Sequence, residues 1–210
     1  MRTMNALCAR RPAMLVCCLG ILVSGCLSRP ALTRQNFALQ NPPAEDRQTN
    51  SGPVLEMRTP GISPLFARRA LVYRTGSDSY ELDPYAGFLI PPERTLAIPI
   101  RSYLRNSGLF QDVVLEDSPL KPELVIEIRV SELYGDFRKS APPGAVLSLH
   151  ALVVQPNNTA TPAILLNKDY SSRIALKDNT AACLVAGYDE ALAQIMKQLT
   201  ADLASSRTTR

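Results

Sequence analysis

The sequence predicts an α+β fold, a single mixed and largely antiparallel β-sheet packed by two main helices at about residues 92–107 and 180–204. Three observations carry that expectation. In Leu124-Val125-Ile126-Glu127-Ile128-Arg129-Val130 the aliphatics alternate with Glu127 and Arg129, the period-two signature of a half-buried strand. Val185, Tyr188, Leu192, Ile195, Leu199 and Leu203 advance by threes and fours, which draws one apolar stripe along a long helix. Strands, a helix, further strands and a closing helix follow one another in that order, a pattern of single α+β or mixed α/β domains.

Each element has its own local signals. Asn36-Phe37-Ala38-Leu39 reads as a short first strand, and the stretch from Asn41 to Pro53 is polar and rich in breakers, hence a loop. Val54-Leu55-Glu56-Met57 resumes extended structure. Ala70-Leu71-Val72-Tyr73-Arg74 and Ser79-Tyr80-Glu81-Leu82 flank Thr75-Gly76-Ser77-Asp78 and predict a hairpin. Pro91-Pro92-Glu93 opens the first helix, with proline suited to the first turn and an acid that complements the helix dipole. Leu96, Ile100, Tyr103 and Leu104 form its apolar stripe, Gly108 supplies a left-handed stop, and Pro99 predicts a kink or an early break. Leu109 to Leu115 leads into a strand. Ala145 to Gln155 and Ala163 to Arg173 are two more, joined by the turn-forming run Pro156 to Pro162, and with the alternating segment they suggest an antiparallel meander. Asp178 or Asn179 can cap the last helix.

Before all of this stands an address. The chain carries 23 basic and 19 acidic side chains, a formal +4, and Arg2, Arg10 and Arg11 account for three of those charges, so without them the remainder carries only +1. A nucleic-acid partner loses its main support on that ground. The apolar run Ala13 to Val23 follows the basic segment. Eleven helical residues reach only about 17 Å, well short of the roughly 30 Å of a bilayer core, so the run suits a signal peptide and not a spanning helix. It ends in Val23-Ser24-Gly25-Cys26, which resembles a bacterial lipobox. In such a motif the small residues fit the peptidase and the cysteine thiol takes a diacylglyceryl group. By resemblance to sorted lipoproteins, Leu27 favours the outer membrane over the inner. The expected organisation is a signal peptide over 1–25, a lipidated tether over 26–35, a folded domain over 36–206 and a disordered tail over 207–210. Cys8, Cys17 and Cys18 leave with the signal and Cys26 is lipidated, so Cys183 stands alone and no intramolecular disulfide is available; it is expected buried, with an intermolecular bridge as the alternative.

The order of parts then points further. The lipobox, the Tyr73 and Tyr80 hairpin, Tyr85-Ala86-Gly87-Phe88 with Pro91-Pro92, the helix ending in Leu104-Arg105-Asn106-Ser107-Gly108-Leu109-Phe110, the alternating strand and the long C-terminal helix resemble the ABC-type transport auxiliary lipoprotein family. The resemblance runs from about Phe37 to Leu203. It implies a non-catalytic subunit, held to a membrane leaflet by Cys26, that accompanies an MCE-type lipid transport system. Its partners would be an MCE-domain protein with the associated ABC permease and ATPase, and the bilayer through the acyl chains. A homo-oligomer is left open, no cofactor beyond the covalent lipid is expected, and the location is the outer membrane facing the periplasm. The alternative is a lipoprotein of envelope assembly, acting in cell-wall synthesis or in inserting an outer-membrane component.

Candidate sites are few. His150, the only histidine, lies two residues from Ser148 on one strand face, so a Ser-His pair is conceivable, but no orienting acid or oxyanion donor is marked. One histidine and one spare cysteine give no metal-ligand spacing, and no Gly-rich phosphate loop is present. Arg68-Arg69 falls short of a lipid-headgroup cluster. Leu65, Phe66, Tyr73, Tyr80, Tyr85 and Phe88 sit beside Pro- and Gly-rich loops, where aromatics serve as interface anchors, although large apolar side chains more often build the core. Phe66, Tyr73, Tyr80, Tyr85 and Phe88 are the candidate partner interface.

Overall fold

The computed structural model describes residues 33–42, 52–156 and 162–208. Among them are nine strands, β1 (Gln35–Phe37), β2 (Val54–Met57), β3 (Gly61–Ile62), β4 (Ala70–Arg74), β5 (Tyr80–Phe88), β6 (Asp112–Val114), β7 (Leu124–Asp136), β8 (Gly144–Gln155) and β9 (Ala163–Ala175). Two helices, α1 (Pro92–Asn106) and α2 (Ala181–Thr208), complete the fold. All nine strands join one open mixed sheet, and the α+β expectation holds.

The predicted meander is its spine. β7 pairs with β8 and β8 with β9, antiparallel along nearly their whole lengths. The other edge of β7 is filled by three short strands laid end to end, all parallel to it: β2 against Leu124–Ile126, β3 against Arg129 and Val130, β4 against Gly135 and Asp136. β6 extends β2 in parallel, β5 turns back antiparallel on β4 as the predicted hairpin, and β1 lies parallel to β5. β7 runs six residues past the predicted Val130. A bulge at Ser131, where Val130 and Glu132 pair with successive residues Leu149 and Ser148, inserts one residue and reverses the phase of the pattern.

Both helices pack on one face of this sheet. Ala145, Leu147, Leu149, Ala151 and Val153 of β8 are almost wholly buried and face Leu184, Tyr188, Leu192, Ile195 and Leu199 of α2. Each fully buried Leu or Ile contributes about 1.5–3 kcal/mol, so this one stripe accounts for much of the docking of α2. Gly187 permits it, since a Cβ there would stand 2.7 Å from both the Ala145 Cβ and a Leu176 methyl carbon. The cap of α2 is Thr180 instead of Asp178 or Asn179. Its Oγ1 accepts the Cys183 N–H at 3.2 Å, while Asp178 Oδ1 accepts the Thr180 N–H at 2.8 Å and holds the cap in place.

α1 does not break at Pro99. An interior proline costs a helix about 3 kcal/mol, but Leu96, Ile100 and Leu104 on both sides of it are buried in the core, and that burial outweighs the lost hydrogen bond. The Ser107 N–H closes the last turn onto Tyr103 O, and Gly108 takes φ 69°, the predicted stop. After β1, the Gln40 N–H donates to Asp189 Oδ1 at 2.8 Å and ties the incoming chain to α2.

Candidate interaction site

The β4–β5 hairpin and the strands beside it hold most of the candidate aromatics. Arg74 pairs with Tyr80 and Val72 with Leu82, so Tyr80 and Leu82 share one face of the sheet while Tyr73, Glu81 and Asp83 share the other. On the first face Phe66 stacks on Tyr134 with centroids 5.8 Å apart, and Tyr80 meets both rings edge-on at 6.1 and 5.7 Å. The Arg74 guanidinium lies 5.8 Å from the Tyr80 centroid and 5.9 Å from that of Tyr134. Pairs of this kind contribute about 0.5–1.5 kcal/mol each beyond area burial, so the rings support one another. Its inner members Phe66 and Tyr134 are buried, whereas Tyr80 is 41% exposed, Leu82 45% and Leu65 68%.

On the second face the Tyr73 hydroxyl donates to Asp83 Oδ2 at 2.5 Å, and the Tyr73 ring tilts against Phe137. Burial, with the Asp83 carboxylate second, raises the Tyr73 pKa far above that of a free phenol, so it remains a donor. Asp83 Oδ1 accepts the N–H groups of Tyr85 and Ala86 at 2.7 and 2.8 Å, which fixes the bend at Pro84. That bend leaves Tyr85 48% exposed and sends Phe88 into the core, 6.3 Å from the Tyr188 ring. The five predicted aromatics thus divide: Phe66 and Phe88 are core residues, Tyr73 is half-buried, and Tyr80 and Tyr85 face solvent.

The sheet face turned away from the helices carries a polar row. His150 stands opposite Asp169 on β9, and its Nδ1 lies 2.8 Å from Asp169 Oδ1. Ser148 Oγ donates to Glu132 Oε2 at 2.6 Å and lies 2.8 Å from Ser171 Oγ. The orienting acid that the sequence left unmarked is therefore Asp169, brought there by β8–β9 register, but the Ser148 proton is committed to Glu132 and the two predicted partners are not bonded to each other. Farther along, Asp136 is 2% exposed and receives the Arg138 guanidinium in a two-pronged pair at 2.8 Å, with Arg173 at 3.3 Å. Arg138 first, then Arg173, holds the Asp136 carboxyl below its usual range against the opposing effect of burial.

Sequence reasoning missed Asp83, Tyr134, Asp136 and Asp169. The Asp83-Pro84 pair was a readable turn signal, while the other three depend on register. Arg69 is committed to backbone, donating from Nε to Phe88 O at 3.0 Å and from Nη2 to Leu89 O, while Arg68 is exposed. Cys183 is half-buried in the first turn of α2, less enclosed than expected. Val23, Ser24, Gly25, Cys26 and Leu27 lie outside the described residues, as do residues 157–161 of the β8–β9 connection. Among the described residues no group of three or more metal-ligating side chains converges, and no helix is long and apolar enough to cross a membrane.

Comparison with known proteins adds the family. The crystal structure of a Xanthomonas campestris protein of family DUF330 superposes with a TM-score of 0.65 at 15% identity, covering 84% of this chain and 96% of that one. A second crystal structure, of an uncharacterized protein, gives a TM-score of 0.60 at 15% identity over 85% of this chain and 99% of that one. These likenesses are of fold. No curated relative matches the sequence. The model of the family described as ABC-type transport auxiliary lipoprotein component matches residues 37–200, from the end of β1 to late in α2. The match covers well over half the chain and every strand from β2 onward together with α1. The chain belongs to the family of ABC-type transport auxiliary lipoprotein components.

Proposed function

We propose that this protein is a non-catalytic subunit of an MCE-type lipid transport system, anchored to the periplasmic face of the outer membrane by acyl chains on Cys26. One observation carries the reading: the family match begins at residue 37, just after a basic segment, an eleven-residue apolar run and Val23-Ser24-Gly25-Cys26, in the order of a lipoprotein precursor. Lipid crossing an aqueous compartment needs a continuous apolar route, and energy for it comes from an ATPase and permease elsewhere. A tethered domain raises the effective concentration of its docking surface at one end of such a route, so a modest interface suffices. The polar row fits an inert role, because Ser148 donates to Glu132 and, among the described residues, His150 is paired with the Asp169 carboxylate and not with a hydroxyl.

Two measurements test this. Cys26→Ser is expected to abolish acylation and move the protein from the membrane pellet to the soluble periplasmic fraction, and retention in the pellet refutes the anchor. Crosslinking in intact cells, followed by mass spectrometry of the captured partner, is expected to return an MCE-domain protein. Capture of cell-wall synthases instead refutes the transport role. Leu27→Asp is expected to shift the protein toward the inner membrane on a density gradient.

A further inference from the structure

We propose that the hairpin-tip end of the domain rests on the leaflet that holds the anchor, with Leu65, Tyr80, Leu82 and Tyr85 entering its zwitterionic phospholipid interface. The inference rests on Cys26 being acylated, as proposed above, and assigns to lipid two tyrosines whose sequence context pointed to a protein partner.

The point of chain entry is the first argument. Gln35 pairs beside Ala86, so Arg34, where the tether joins the domain, adjoins Tyr85. From Cys26 to Gln35 are nine chain steps, which reach at most about 32 Å in any conformation. Along the sheet, Gln35 sits near the end where β4 meets Gly135 and Asp136 of β7, and the opposite end, where Ile164 pairs with Val154, lies roughly 30 Å away at about 3.3 Å per residue. Only a tether at full stretch and folded back along the sheet brings that far end to the leaflet, whereas the hairpin end lies within much shorter reach of the anchor.

Surface chemistry is the second. Leu65, Tyr80, Leu82 and Tyr85 are between 41% and 68% exposed, and Tyr80 and Leu82 share the face of the sheet that carries the Phe66–Tyr134 stack, next to which Leu65 stands in the chain. Tyrosine is the side chain of bilayer interfaces, its ring apolar and its hydroxyl wet. The Phe66–Tyr134 stack and the Asp83 bend hold Tyr80 and Tyr85 outward in the folded chain, so no ordering is required on contact. Exposed Asp78 and Glu81 share this end with Arg74, Arg138 and exposed Lys139, so charges of both signs meet there, which suits zwitterionic headgroups.

The chain contains no tryptophan, so a single introduced one reports its own surroundings. Full-length acylated Tyr85→Trp, and separately Leu82→Trp, would be reconstituted in phosphatidylcholine vesicles with or without brominated acyl chains, alongside Ile164→Trp at the far end. Both hairpin reporters are expected to lose emission to the brominated lipid, and the Ile164 reporter to keep it. Equal quenching at both ends, or none at the hairpin while the vesicles still float the protein, overturns the orientation and leaves the anchor standing. Hairpin emission shielded from aqueous acrylamide yet untouched by bromine overturns it in favour of a second copy of this chain. Failure of the wild-type protein to float with vesicles refutes the acylation on which the inference rests.

Discussion

Tyr188 is wholly buried two turns into α2, and its hydroxyl has no hydrogen-bond partner among the described residues. A hydroxyl removed from water without compensation costs about 1–3 kcal/mol, whereas deleting one oxygen leaves a gap smaller than a methyl group. Tyr188→Phe is therefore expected to stabilise the protein by about 1 kcal/mol, a rise in melting temperature of about 2–4 °C for a domain of this size. Tyr170 provides the control with the same chemistry and the opposite sign. Its hydroxyl donates to Asp202 at 2.7 Å, and Lys168 donates to the same oxygen at 2.7 Å. Tyr170→Phe removes a hydrogen bond to a charged acceptor and is expected to destabilise by about 1.5 kcal/mol. Urea unfolding of the two variants, compared at unchanged m-value, reads both effects. A loss of stability in Tyr188→Phe would show that the hydroxyl has a partner and would refute the reasoning.

Asp136→Asn is expected to cost about 2 kcal/mol at neutral pH, since it removes the charge that both arginines address. Because the folded carboxyl titrates below the unfolded one, its contribution is present above about pH 4 and lost as pH falls through the lowered folded value. The gap in melting temperature between wild type and variant should accordingly close as the solution is acidified, and a gap constant down to pH 2 refutes the assignment. Thr180→Ala removes the α2 cap and is expected to cost about 1 kcal/mol in urea unfolding. Gly187→Ala gains about 1 kcal/mol of helix propensity but forces a Cβ to 2.7 Å from Ala145, an overpacking cost of about 1–3 kcal/mol. The net expectation is a lower melting temperature, and a rise would mean that α2 shifts freely on the sheet.

Legibility in the sequence followed the length and phase of each pattern. α2 was plain because six apolar positions repeat at helical spacing, and the β4–β5 hairpin because turn residues separate two tyrosine-bearing runs. The end of β7 was hidden by Ser131, since one inserted residue puts Leu133 on the core face and Glu132 and Tyr134 on the other, and the alternation dissolves at that step. β3 is too short to display a period, and β2, β3 and β4 are held in place by the edge of β7, a long-range partner that no local window contains. Of the kink or early break expected at Pro99, the break is a local rule overridden by tertiary burial. At the candidate site, composition cannot separate Phe66 and Phe88 from Tyr80 and Tyr85, because all four are aromatics beside breakers. The Asp83 carboxylate makes that separation on β5, through backbone bonds at the Pro84 bend.

Variants in the polar row test the inert reading against a catalytic one. His150 and Asp169 form an exposed hydrogen-bonded pair, and exposed polar pairs contribute about 0–1 kcal/mol, so His150→Ala should unfold within that margin of wild type. Ser148→Ala is expected to cost more, about 1–2 kcal/mol, because Ser148 is 8% exposed and Glu132 loses a charge-assisted donor. A catalytic pair would behave the other way round. Both variants would abolish function together, and stability would be irrelevant to the loss. With Ser148 bonded to Glu132 and Ser171, and His150 to Asp169, the expected outcome in cells is that His150→Ala retains full envelope-barrier function, scored as resistance to detergent. Ser148→Ala should lose function only in proportion to its lower abundance, measured by immunoblot. A His150→Ala protein present at wild-type level and without function would refute the non-catalytic reading.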